Sequence, residues 1–333
     1  MKERDLSIDL MRAIGLLCVI LAHVNPPATL MQIRCFDVPL MLFVSGLVFS
    51  GRKPNFRGRL IIRILRLILP TWIFLSVLFP VCLLPAKLGI IPYFSKYEIL
   101  STFLLRDQPD SIGYVWVIRI FIIIGVFTPI WLWLTNNINK CWKRWILFFV
   151  LLSVQQMLVV LLHDYTSCWA IKDWSLYIFG YSSVFVLGLS VKKDTQKDNV
   201  VLLILLLFSF IGCLFYQDNG FRINEYKYPP QFLFVLWGSL ISVALWTTKK
   251  YWSKYLKNTF MVWMGQNTIW IYLWHIPFLK PAIMLLSDSH WTIRYIFVFC
   301  MAVLTFGIQY KIVKFVKFKF PNKELCFLKY LIG

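Results

Sequence analysis

A chain of 333 residues that is 59% hydrophobic and only 15% charged, with a mean hydropathy of +0.69, is too apolar to be a soluble globule. Its formal charge of +20 would suit nucleic acid in a soluble protein, but the basic residues keep to particular loops, so they report membrane topology and exclude a nucleic-acid partner. Its 8 cysteines lie mostly in apolar runs and form no CxxC pair, which gives neither a metal site nor a disulfide framework, and nothing in the spacing calls for a bond between Cys35 and Cys168.

Lys2 and Arg4 precede the first apolar stretch as they would in a signal peptide. Asp5, Asp9 and Arg12 interrupt that stretch, however, and no A-x-A site follows, so it reads as the first span. Apolar runs near 8–24, 36–50, 64–84, 114–134, 145–162, 174–191, 199–216, 231–247, 266–286 and 292–312 predict about ten transmembrane helices. The second is short and opens on Asp37 and Pro39, which favours a tilted, broken or partly inserted segment.

Placing the two termini and every second loop on one side divides lysine and arginine by about three to one, which puts both termini in the cytoplasm. The long outer loop 85–113 carries FSKYEILSTFLLRD, readable as a short interfacial helix, and the tail KIVKFVKFKFPNK reads as an amphipathic anchor on anionic membrane lipid. The predicted fold is all-α: a polytopic integral membrane helical bundle with one domain over 1–320 and a short cytoplasmic tail over 321–333.

The residues that carry chemistry crowd into the first four spans. Arg12 and His23 are eleven residues apart in RDLSIDLMRAIGLLCVILAH, and eleven steps of about 100° return to within roughly 20°, so both leave one face of the helix. The same steps advance about 16 Å, over half of a hydrocarbon core. Two roles are open to His23: a general base kept neutral by desolvation, or a histidine that satisfies a neighbouring helix. Arg12 has Asp9 at i−3 as a partner for lining a polar path, or else snorkels to the interface.

Arg59, Arg63 and Arg66 form a stripe entering the third span, suited to phosphate or to setting topology. Arg119, in YVWVIRIFIIIGVF, is flanked by apolar residues and is expected at the depth of His23 and Asp37. The three either form one outward site or leave Asp37 and Arg119 as a buried ion pair. His275, before a proline in IYLWHIPF, reads as a packing or supporting histidine.

These residues resemble the acyltransferase-3 family of membrane acyltransferases. Arg12, ten residues and His23 match its R-x10-H signature. SIDLMRA around Asp9 and Arg12, FDVPLMLFVSGLVF around Ser45 and Gly46, RILRLILP around Arg63 and Arg66, YVWVIRIF around Trp116 and Arg119, and YLWHIPF around His275 follow in the family's order. The resemblance implies transfer of an acyl group, usually acetyl, from cytoplasmic acyl-CoA to a hydroxyl of a sugar or lipid-linked glycan. His23 is then the base, Arg12 its partner, and Arg63 and Arg66 lie on the CoA side. Acetyl-CoA enters as donor substrate, with no permanently bound cofactor or metal. Asp37 departs from the family pattern, so its role is not carried over; beside Arg119 it is a candidate for the acceptor. A polysaccharide O-acetyltransferase of the inner membrane is the expectation. The competing class is a glycan or lipid transporter or flippase, against which the sequence shows no matched pair of interrupted spans.

Overall fold

The computed structural model describes residues 5–50, 58–89, 93–106, 113–165, 168, 170–171, 174–217, 220–256, 259–320, 328 and 330–331, with the backbone alone at 58–60, 62–63 and 113. Among the described residues every regular element is helical and there is no strand. The α-helices are α1 (Leu6–Ala22), α2 (Ala28–Ile33), α3 (Asp37–Phe49), α4 (Gly58–Lys87), α5 (Lys96–Phe103), α6 (Trp116–Asn137) and α7 (Cys141–Leu161). They continue with α8 (Ile178–Val191), α9 (Gln196–Gln217), α10 (Phe232–Thr247), α11 (Lys249–Leu256), α12 (Thr259–Gln266), α13 (Thr268–Leu285) and α14 (Trp291–Lys319).

Each of the ten apolar runs carries a helix, but the span count differs from the expectation. Among the described residues seven helical stretches are long and apolar enough to cross a membrane, and an eighth arises if α10 and α11, bent by 78°, count as one. The second span is completed from outside its apolar run: α2, a short 3-10 turn and α3 together make Ala28–Phe49. Helix α1, with 17 residues, is shorter than a typical crossing. Residues Ser175–Val191 are likewise short.

The chain divides into two compact units, Met1–Gly58 with Ile123–Gln266, and Arg59–Ile122 with Asn267–Gly333. In the first, α1 packs against α3 and α12, and α3 packs against α8. Gly46 and Gly188 make the last contact possible. A Cβ on Gly46 would overlap the Phe185 carbonyl and one on Gly188 the Phe43 carbonyl, so the two backbones touch, as small residues allow in a membrane. Every residue of α8 from Gly180 to Val191 is buried.

The basic loop residues of this unit also close helix ends. Lys192 Nζ donates to the Leu47 carbonyl at 2.9 Å, and Lys193 Nζ to the Thr135 carbonyl at 3.0 Å and to Asn136 Oδ1 at 2.7 Å. These are orphan carbonyls and acceptors at the C-termini of α3 and α6, where a cation also meets the negative end of the helix dipole. Arg144 does the same for Ile138 and Asn139 at 2.6 and 2.9 Å, while pairing with buried Asp194.

In the second unit α13 lies along α14, with Trp274 Nε1 donating to Gln309 Oε1 at 2.6 Å and Phe74 of α4 edge-on to Trp274. The expected interfacial segment is α5, started by a capping box in which Ser95 and Glu98 satisfy each other's backbone. The expected C-terminal anchor is not a separate element as far as Lys319: α14 runs 29 residues without a break. Residues 321–327 of the tail lie outside the described residues.

Candidate functional site

Asp5 caps α1, accepting from Ser7 N at 3.1 Å. One turn in, Arg12 Nη1 lies 3.4 Å from Asp9 Oδ1, with the Asp9 side chain 1% exposed and that of Arg12 29% exposed. The i, i+3 spacing puts the pair on one helix face, and α12 covers it from the side, since Gly265 lies flush on the Asp9 backbone. His23 is half-buried and forms the C-cap of α1, its N–H donating to the Ile20 carbonyl at 3.1 Å. The helix therefore ends one residue before His23, while Arg12 lies near its middle, about 16 Å along the same rod.

Asp37 opens α3 with a partner the sequence reading did not weigh. Arg34 Nη1 donates to Asp37 Oδ2 at 2.6 Å, and both side chains are buried. Arg34 Nη2 reaches Met31 Sδ at 2.8 Å and Asn224 Oδ1 at 3.4 Å, and Asn224 N donates to Gln32 Oε1 at 2.7 Å. The i, i+3 spacing to Asp37 was the available signal, whereas no spacing announces Asn224.

The start of α3 lies against α1. A Cβ on Gly15 would meet the Asp37 carbonyl oxygen at 3.5 Å, so α3 begins level with Gly15, eight residues or about 12 Å along α1 from His23. Residues 28–36 fill the intervening length. Ser45 is half-buried on α3 beside Gly46.

The remaining candidates belong to the second unit. Arg119 lies fully buried in the first turn of α6, next to buried Trp116, and its Nη1 donates to the Leu105 carbonyl at 3.0 Å. Leu105 has φ +58 and ends α5, with Leu105 N bonded to the Thr102 carbonyl and Arg106 N to the Ser101 carbonyl. This is a Schellman turn with leucine where glycine is usual, and its left-handed backbone aims the carbonyl at the guanidinium.

His275 is fully buried in α13, with Nδ1 on the Tyr272 carbonyl, and the Tyr272 hydroxyl donates to the Tyr114 carbonyl. A carbonyl only accepts, so Nδ1 carries the proton. Arg66 is exposed on α4. Arg63 is helical there, and its side chain lies outside the described residues. Asp9, Arg12, His23, Asp37 and Ser45 thus share one unit, and Arg63, Arg66, Trp116, Arg119 and His275 the other. Among the described residues no group of three or more His, Cys, Asp or Glu is placed to hold a metal.

Apolar helices of crossing length with buried arginines and acids between them define a multi-pass membrane protein. The acyltransferase domain that describes the acyltransferase-3 family matches residues 5–309, and the chain belongs to that family of membrane acyltransferases. No curated protein and no solved structure matches it.

Proposed function

We propose that the protein is an O-acetyltransferase of the inner membrane, with both termini in the cytoplasm, moving acetyl from cytoplasmic acetyl-CoA to a hydroxyl of a cell-surface or lipid-linked glycan. The observation that supports this reading is α1 itself. It holds Arg12 against buried Asp9 near its middle and stops on His23 at its C-terminal end, in a chain matched by the acyltransferase domain over 5–309.

In this reading the phosphates of acetyl-CoA meet Arg63 and Arg66, and its pantetheine arm passes Arg12 to bring the thioester to His23. His23 takes the proton of the acceptor hydroxyl as its oxygen attacks the thioester carbonyl; the C–S bond then breaks, and the proton leaves with CoA thiol. Asp37 and Arg119 serve the acceptor, with Asp9, Ser45, Trp116 and His275 supporting them.

Mass spectrometry of surface glycan from wild-type, deletion and His23→Ala-complemented strains tests this. Acetyl groups absent from the last two strains are expected, and the lost position names the acceptor. Acetylation restored by His23→Ala would remove the base from the mechanism. Release of free CoA thiol by purified protein given acetyl-CoA and acceptor separates transfer from flipping.

A further inference from the structure

Residues 248–265, which connect the expected spans 231–247 and 266–286 on the expected cytoplasmic side, hold α11 and most of α12, and α11 turns away from a span. Helix α10 is apolar throughout, FLFVLWGSLISVALWT, whereas α11 is KKYWSKYL and leaves it at 78°. Lysines are strongly disfavoured in hydrocarbon, so α11 does not extend the crossing but runs along the membrane surface.

Its two sides differ. Lys249 Nζ donates to Asp5 Oδ2 at 2.6 Å and sits 3.5 Å over the Trp246 ring, while Trp252 Nε1 donates to the Leu245 carbonyl at 2.9 Å. That side is occupied by the protein. At about 100° per residue, Lys250 and Lys254 fall together on the opposite side, with Tyr251 and Tyr255 next to them. Both lysines are exposed, as are Tyr251 at 61% and Tyr255 at 77%. Each ammonium lies over the following ring, at 4.7 Å for Lys250 and 4.8 Å for Lys254.

We propose that this face of α11 docks on the headgroups of anionic phospholipid. The helix carries no carboxylate, so its two free-side ammonium groups meet phosphate without competition from its own side chains. Tyrosine rings with polar tips suit the same depth. The opposite side binds the N-cap of α1, so docking fixes the start of the helix that bears Arg12 with respect to the membrane surface.

The test uses the full chain in nanodiscs of phosphatidylcholine with a minor share of phosphatidylglycerol, with p-benzoylphenylalanine in place of Tyr255 and photo-adducts read by mass spectrometry. Phosphatidylglycerol adducts are expected several-fold above that lipid's share. The preference is expected to vanish with Lys250→Gln and Lys254→Gln together and to persist with Lys250→Arg and Lys254→Arg. Adducts that follow the bulk lipid ratio, or that form with protein alone, overturn the proposal. So does loss of lipid adducts on adding acetyl-CoA, which would assign the lysines to a soluble phosphate-bearing ligand.

Discussion

Arg34 holds Asp37 at 2.6 Å with both side chains out of solvent, and its other terminal nitrogen reaches Asn224, 190 residues further along the chain. One arginine therefore ties the start of α3 to the segment before α10. Removing one member of such a pair strands the other charge, whereas removing both does not. Arg34→Ala is expected to destabilise the protein by about 3–5 kcal/mol, and Arg34→Met combined with Asp37→Leu by much less. Thermal unfolding in detergent measures both, and a single variant as mild as the double one would deny the pair its role.

For catalysis the expected signatures are different at the two arginine and histidine positions. His23→Ala is expected to lower kcat by roughly 10²–10⁴-fold at unchanged protein level, the usual contribution of a general base. Arg63→Ala and Arg66→Ala should chiefly raise KM for acetyl-CoA, because a phosphate contact far from the reacting carbonyl is made equally in ground and transition states. Steady-state kinetics in proteoliposomes separates these effects, and undiminished activity in all three variants would dismiss the assignment.

Gly265 lies so close to Asp9 that a Cβ there would overlap the Asp9 backbone carbonyl. Gly265→Ala must therefore lift α12 from α1 and disturb the neighbourhood of the Asp9–Arg12 pair, at a cost of about 1–3 kcal/mol. Gly212→Ala, where a Cβ meets nothing within 4 Å, is the matched control. The melting temperature should fall for the first and hold or rise for the second.

Leu105 adopts a left-handed backbone that costs a residue with a Cβ about 1–2 kcal/mol, and its carbonyl accepts from buried Arg119. Arg119→Ala removes that donor. The turn after α5 is then expected to open more often, read as faster hydrogen exchange at residues 101–106. Unchanged exchange there would mean that the turn is held by its own backbone bonds.

The link between Asp5 and Lys249 gives the first unit a dependence on acid. Partial burial pushes the Asp5 carboxyl up, but the hydrogen bond and charge of Lys249 and the bonds from Ser7 outweigh it, so the pKa lies below the ordinary aspartate value. A depressed folded-state pKa means the contribution is complete above the unfolded value and is lost as pH falls through the folded one. Both groups are partly exposed, so the effect is modest. Asp5→Asn should destabilise at neutral pH and flatten the acid limb of the stability profile, while leaving the profile above pH 6 parallel to that of the parent.

Much of this protein was legible before its structure, and the reason lies in particular residues. Arg12 and Asp9 announced each other because an i, i+3 contact depends only on helix geometry. The ten apolar runs each mark a helix because lipid demands internally satisfied backbone, and α5 was expected from FSKYEILSTFLLRD in the long outer loop. Lys192 and Lys193 were expected as loop charges, but their second use, closing helix C-termini, requires knowing which carbonyls come near.

The sequence by itself determined the class, the family and the helix that carries Arg12 and His23, because composition, short-range spacing and motif order are local properties. Tertiary structure alone decided that Arg34 reaches Asn224, that α3 begins level with Gly15, that α12 lies on Asp9, and that Leu105 receives Arg119. Each of these joins segments whose meeting depends on how closely whole helices approach. That approach is set by side-chain volume across the packed bundle, a quantity no local window of the chain contains.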